Sequence, residues 1–218
     1  MRLADTIEQP QAPPNSLLKK PKKLSLYNAI RIGYLRDKRK QAKILKKYGY
    51  ILDPTLSDDR QFITAYNPFT NKLLRISNGT DFSNAKDVRT DVALALGKIK
   101  QTERFKEERN SLLKAKKKYD ETETILAGHS LGGNLTNALA GGGDAVYNYN
   151  PAYTIGQKAR QNVMNIKTQG DIFSTFSPAG NTTVLPAVLN THQILQNPIE
   201  SIDQIHSYEN IRRLPVFL

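Results

Sequence analysis

The chain has 218 residues, no cysteine and no tryptophan, 32 Lys+Arg against 20 Asp+Glu, a formal charge of +12 and 39% hydrophobic residues. That length buries one full core, and without cysteine there is no disulfide, thiolate zinc site, iron–sulfur cluster or cysteine nucleophile. No apolar run approaches the roughly 18 to 20 residues that cross a bilayer, and Met1–Gln9 carries charges where a signal peptide needs an apolar stretch, so a soluble chain with no transmembrane segment is expected.

The charge is unevenly spread. Residues 1–48 carry 13 basic and 3 acidic side chains and residues 98–119 carry 9 and 3, which leaves the rest mildly acidic. The expected organisation is therefore a basic element, 1–48, attached to a second domain, 49–218, with an anionic partner for the former. Its start, Gln9 to Ser16, is too rich in proline and too poor in apolar surface to fold alone. From Tyr27 to Tyr48 apolar residues recur at helical spacing among Arg31, Arg36, Lys38, Arg39, Lys40, Lys43, Lys46 and Lys47, a basic amphipathic helix with a break expected near Gly33. Such a face is either solvated or docks on anionic lipid, nucleic acid or an acidic assembly.

After Gly49 the pattern turns to strands. Gln61–Tyr66 and Lys72–Ser77 read as β, joined by Asn67-Pro68-Phe69-Thr70-Asn71, with helices expected over 86–96 and 102–119. The chain then alternates: strand 123–127, helix 131–139, strand 145–150, helix 155–162, strand 164–168. Alternation of this kind predicts an α/β fold with a mostly parallel sheet flanked by helices.

Between a strand and a helix stands Gly128-His129-Ser130-Leu131-Gly132, a G-x-S-x-G in the setting that gives it meaning. A strand that reverses at once into a helix strains its apex residue, and flanking glycines remove the collisions that side chains would make. The apex hydroxyl of Ser130 is then exposed near the positive end of the helix. A serine nucleophile needs a base. His129 adjoins it and is expected to point away; His192 and His206 both lie late in the chain, and His206, the last, is favoured. The acid expected after a later strand is Asp171, preferred over Asp144, which precedes its strand, and Asp203, three residues from His206. Oxyanion donors are expected from the N–H of Leu131 and from Thr80, in the turn Ser77-Asn78-Gly79-Thr80-Asp81.

Taken together, Asn78-Gly79-Thr80-Asp81, the helix before the elbow, Ala127 to Gly133, Asn150-Pro151, Gly170-Asp171-Ile172-Phe173 and the late His206 resemble the class 3 lipase family of the α/β-hydrolases over about residues 49–213. The resemblance implies an α/β-hydrolase fold and cleavage of carboxylic esters, most naturally of lipids, with Ser130, Asp171 and His206 as the triad, Thr80 and Leu131 as oxyanion donors, and no cofactor or metal. The chain departs from the family where Asn78 replaces its arginine, where the following tryptophan is absent, and in the short, polar stretch Phe82–Thr90, which offers no long amphipathic lid. Compact basic hydrolases of viral or membrane-associated type are similar, and imply an intracellular or virion-associated protein. The competing expectation is a lipase-like scaffold docked on a large assembly through residues 1–48. Nucleic acid is disfavoured for want of a reader motif. Three glycosylation patterns begin at Asn78, Asn134 and Asn181, and are expected to be unmodified because the first two flank the site.

Overall fold

The computed structural model describes residues 22–80, 97–120, 122–153, 160–169, 182–185 and 216–217. Its centre is a seven-stranded sheet in the order β2 (Ile51–Leu52), β3 (Phe62–Asn67), β4 (Lys72–Ser77), β5 (Glu123–His129), β6 (Ala145–Tyr149), β7 (Val163–Thr168) and β8 (Thr182–Leu185). The first three strands are antiparallel, and β4 to β8 run parallel. The hairpin between β3 and β4 closes on Asn71, one of three non-glycine residues with positive φ among the described residues, at 52°. The α/β character and the mostly parallel sheet flanked by helices are as the alternation predicted. The helix expected over 86–96 and most of that over 155–162 lie outside the described residues.

One face of the sheet is covered by α1 (Leu26–Tyr34) and α2 (Lys38–Lys46). Ser25 caps α1 by accepting from the Asn28 N–H, and Asp37 caps α2 through Arg39 and Lys40. The basic segment is thus two helices, broken at Leu35 to Asp37, just beyond Gly33. Leu26, Ala29, Ile30, Ile32 and Leu45 are buried with Ile63, Leu74, Ile76, Ile125 and Ile166 in one cluster. Each such side chain is worth roughly 1.5 to 3 kcal/mol by burial, so these helices are part of the core. Gly49, at φ 80°, stops α2, and the Tyr50 N–H returns to the Leu45 carbonyl at 3.1 Å.

The other face carries α3 (Glu103–Lys118) and α4 (Leu131–Leu139). Phe105 packs with Leu131 and Leu135, while Leu112 packs with Leu126, Val146 and Val163. A separate two-stranded ribbon pairs β1 (Leu24–Ser25) with β9 (Val216–Phe217), antiparallel, and returns the end of the chain to the start of α1. Neither β8 nor this ribbon was anticipated from the sequence.

Candidate active site

Strand β5 ends at His129 and α4 begins at Leu131, so the whole reversal falls on Ser130, at φ 53° and ψ −123°. This is a conformation that glycine tolerates and serine adopts only when its surroundings impose it. They do so by proximity. A Cβ on Gly128 would lie 2.6 Å from the Gly133 Cα, a Cβ on Gly132 would overlap the carbonyls of Ser77 and Asn78, and one on Gly133 would lie 2.7 Å from Pro151 Cβ. The Ser130 carbonyl accepts from Gly133 at 2.9 Å and from Ala152 at 3.0 Å, which ties the apex to both its own helix and the loop after β6. Serine at a helix start normally spends its hydroxyl capping the first turn. Ser130, partly exposed, makes no such bond.

Beneath α4 the support is polar. Asn148 accepts from Thr136 Oγ1 at 2.7 Å and donates to Asn137 at 3.0 Å, and Tyr153 bridges Asn137 and Asn165 at 2.6 and 3.1 Å. All five are buried and hydrogen-bonded, which holds the helix in one register on the strands.

The loop after β4 lies directly against the elbow. A Cβ on Gly79 would stand 3.2 Å from Ser130 Cβ and 3.3 Å from His129 Nδ1. Leu131, the first residue of α4, follows Ser130 directly, and Thr80 follows Gly79 in the chain. The Asn78 amide donates to the carbonyls of Gly33, at 2.8 Å, and Arg60, at 2.7 Å. Asn78 and Asn134 are both buried, which leaves no room for a glycan on either.

Three side chains that sequence reasoning passed over, Arg104, Glu108 and Tyr34, hold this loop. Arg104 and Glu108, fully buried one turn apart on α3, form an ion pair at 3.2 Å. Arg104 also donates to the Asn78 carbonyl at 2.7 Å, and Glu108 accepts from Ser77 Oγ at 2.7 Å. Arg75, on β4, lies over the Phe62 ring at 4.2 Å and donates to Ser111 at 2.9 Å. Burial lowers the Arg75 pKa to about 10, opposed by Glu108, and the side chain remains cationic at neutral pH. Burial raises the Glu108 carboxyl, against the pull of Arg104 and Arg75. Arg104 thus reaches the loop after β4 from another element, α3. The signal available was the i, i+4, i+7 spacing of Arg104, Glu108 and Ser111 on a face that also carries Leu112.

Tyr34, at the end of α1, is the third. Its hydroxyl accepts from the Gly79 N–H at 2.9 Å and lies 2.6 Å from His129 Nδ1. The His129 ring stacks on Tyr149 at 5.7 Å, on the α1 face of the sheet. Burial lowers its pKa to about 4, so it is neutral at ordinary pH. Asp144 lies at the opposite end of the sheet, before β6, bonded to the Gly141 N–H and paired with Lys116. Asp171, His192, His206 and Asp203 lie outside the described residues. Among the described residues no group of histidines and carboxylates could hold a metal ion, and no helix is long and apolar enough to cross a membrane.

No protein-family model matches the sequence, and no characterised protein matches it at the sequence level. Among solved structures the chain is similar to the lipase of Rhizomucor miehei in complex with its propeptide, at 13% identity and a TM-score of 0.44 over 71% of this chain and 62% of that one. It is similar also to a fungal lipase in complex with an inhibitor, at 14% and 0.42 over 71% and 73%. A third is the Lip2 lipase of Yarrowia lipolytica, at 14% and 0.44 over 76% and 82%. The chain therefore spans less than two thirds of the length of the Rhizomucor miehei lipase.

Proposed function

We propose that this chain is a serine hydrolase of α/β-hydrolase type that cleaves carboxylic esters, with lipid esters as its substrate class. The observation that carries the reading is Ser130, forced to φ 53° at a strand-to-helix turn, with a hydroxyl not used for capping. Strain kept at one partly exposed serine, with glycines packed around it, is what a preformed nucleophile requires.

In this reading His206 removes the Ser130 proton as Oγ attacks the ester carbonyl, and Asp171 holds the imidazole and its positive charge. The N–H groups of Leu131 and Thr80 take the oxyanion. The proton then passes to the leaving alkoxide, and water, deprotonated by the same imidazole, releases the acid. Two features support the assignments. Strand β7, parallel to β5, ends at Thr168 on the sheet edge where Ser130 stands, and Asp171 is three residues further along the sequence. His206 precedes Val216 by ten residues, a reach of roughly 33 Å, and Val216 pairs with Ser25 at the start of α1, whose other end touches Gly79 and His129.

The exposed cations Lys22, Lys23, Arg39, Lys40, Lys43, Lys46 and Lys47 give the α2 side a basic surface. This surface, with the rest of residues 1–48, serves to dock the enzyme on an anionic membrane. The reading is tested by turnover of p-nitrophenyl acetate, butyrate and palmitate. Native protein turns them over, and Ser130→Ala reduces kcat by more than about a thousandfold. Native protein without turnover, or a Ser130→Ala variant that keeps it, contradicts the reading.

A further inference from the structure

The Asn78–Gly79 peptide is held at both of its ends by side chains. Its carbonyl accepts from Arg104 on α3 at 2.7 Å, and its N–H donates to the Tyr34 hydroxyl on α1 at 2.9 Å. A trans peptide is a rigid plane whose C=O and N–H point in opposite directions, so two anchors on opposite faces of the sheet fix its rotation. The next peptide unit carries the Thr80 N–H; it joins this plane through the two torsions of Gly79, the most permissive residue, and its own carbonyl accepts from Arg104 at 3.5 Å. Without the anchors nothing in the glycine itself would set that N–H, and an oxyanion donor works only when it is aimed before the reaction.

The Gly79 N–H can only donate, so the Tyr34 oxygen accepts from it. The direction of the 2.6 Å contact between the hydroxyl and His129 Nδ1 depends on the imidazole tautomer. Only the Nε2–H tautomer lets the hydroxyl bridge the two, accepting from Gly79 and donating to Nδ1. The His129 ring is fixed by stacking on Tyr149 and an edge contact with Tyr34.

We propose that Tyr34 is a positioning residue for the oxyanion loop: held by His129, its hydroxyl fixes the Asn78–Gly79 peptide from the α1 side and thereby aims the Thr80 N–H. The proposal rests on the hydrolase reading, and gives the histidine of the elbow a task separate from proton transfer. It also makes α1, from the basic N-terminal segment, part of the catalytic apparatus.

The experiment is steady-state hydrolysis of p-nitrophenyl butyrate by native protein, Tyr34→Phe and His129→Gln, alongside 15N NMR of the histidine tautomers in native protein. Tyr34→Phe keeps the ring and removes both hydrogen bonds. It is expected to lower kcat by about tenfold or more, towards the hundredfold that deleting a donor outright costs, with KM within about twofold and a similar melting temperature. His129→Gln, which keeps an acceptor for Tyr34, is expected to lower kcat measurably but less than Tyr34→Phe does, and native His129 is expected as the Nε2–H tautomer. An unchanged kcat in folded Tyr34→Phe, a loss confined to KM, or an Nδ1–H tautomer would overturn the proposal. If Tyr34→Phe does not fold, the tautomer and the His129→Gln kinetics decide. Native protein inactive on every ester removes the hydrolase reading and this role with it, whereas active native protein with an indifferent Tyr34→Phe removes this role alone.

Discussion

Ser130 occupies a backbone conformation that a glycine would adopt without strain, and this makes the site's cost to stability measurable. Ser130→Gly should raise the unfolding free energy by about 1 kcal/mol, less the added freedom of its unfolded chain, while abolishing activity. Urea denaturation and ester hydrolysis on the same preparation check both, and a destabilised glycine variant would mean that the turn is not strained. The neighbouring glycines answer to packing. Gly132→Ala drives a methyl into the Ser77 and Asn78 carbonyls and should cost about 1 to 3 kcal/mol. Gly142→Ala, with nothing within 4 Å of the added carbon, should leave packing undisturbed. Equal losses at the two positions would contradict the account of the elbow.

Helix α3 shows why elements could be read from the sequence and their tasks could not. Its 16 residues fall within the helix predicted over 102–119, in a segment that carries nine basic and three acidic side chains. Yet Arg104 and Glu108 are fully buried, because their partners, Ser77, Asn78 and Arg75, lie at least 25 residues away in sequence and are brought beneath the helix only by the parallel pairing of β4 with β5. The elbow was legible because its glycines and its strand-to-helix setting are local. The break after Gly33 was legible only in part. Gly33 is small because the Asn78 side chain packs on it and bonds its carbonyl, and the helix runs one residue further before it ends. Two- and four-residue strands such as β9 and β8 have too few side chains to show a period. The buried charges give a direct test: Glu108→Gln leaves two buried guanidiniums without their counter-charge and should cost about 3 to 5 kcal/mol in chemical denaturation. A loss below about 1 kcal/mol would mean that the ion pair adds little to the support of the loop.

Over the whole molecule, charge and proton binding divide into a surface effect and an interior one. The α2 side carries cations that face solvent, and replacing Lys43, Lys46 and Lys47 by glutamine should remove about 3 kcal/mol of affinity for vesicles containing phosphatidylserine, on the order of a hundredfold. The binding should weaken as salt rises. Unchanged vesicle binding, or a preference for DNA with a steep salt slope, would reassign the surface. The interior effect belongs to His129. Its folded pKa, lowered by burial to about 4, stands below its unfolded value. As pH falls from about 6.5 to 4 the unfolded chain therefore takes up a proton that the folded chain refuses, and stability declines by roughly 3 kcal/mol through this group alone. Below that window the contribution is flat. His129→Gln should show a shallower loss between pH 6.5 and 4 in denaturation series, and a slope equal to that of native protein would contradict a buried neutral histidine.

Everything functional in this account depends on an activated serine at position 130. The most direct measurement is covalent labelling with a fluorophosphonate, with the modified residue located by mass spectrometry in native protein, Ser130→Ala and His206→Ala. One label is expected, on Ser130, absent from Ser130→Ala and slowed by at least about a hundredfold in His206→Ala. A folded native protein that takes no label, or one whose Ser130 reacts equally fast without His206, would contradict it.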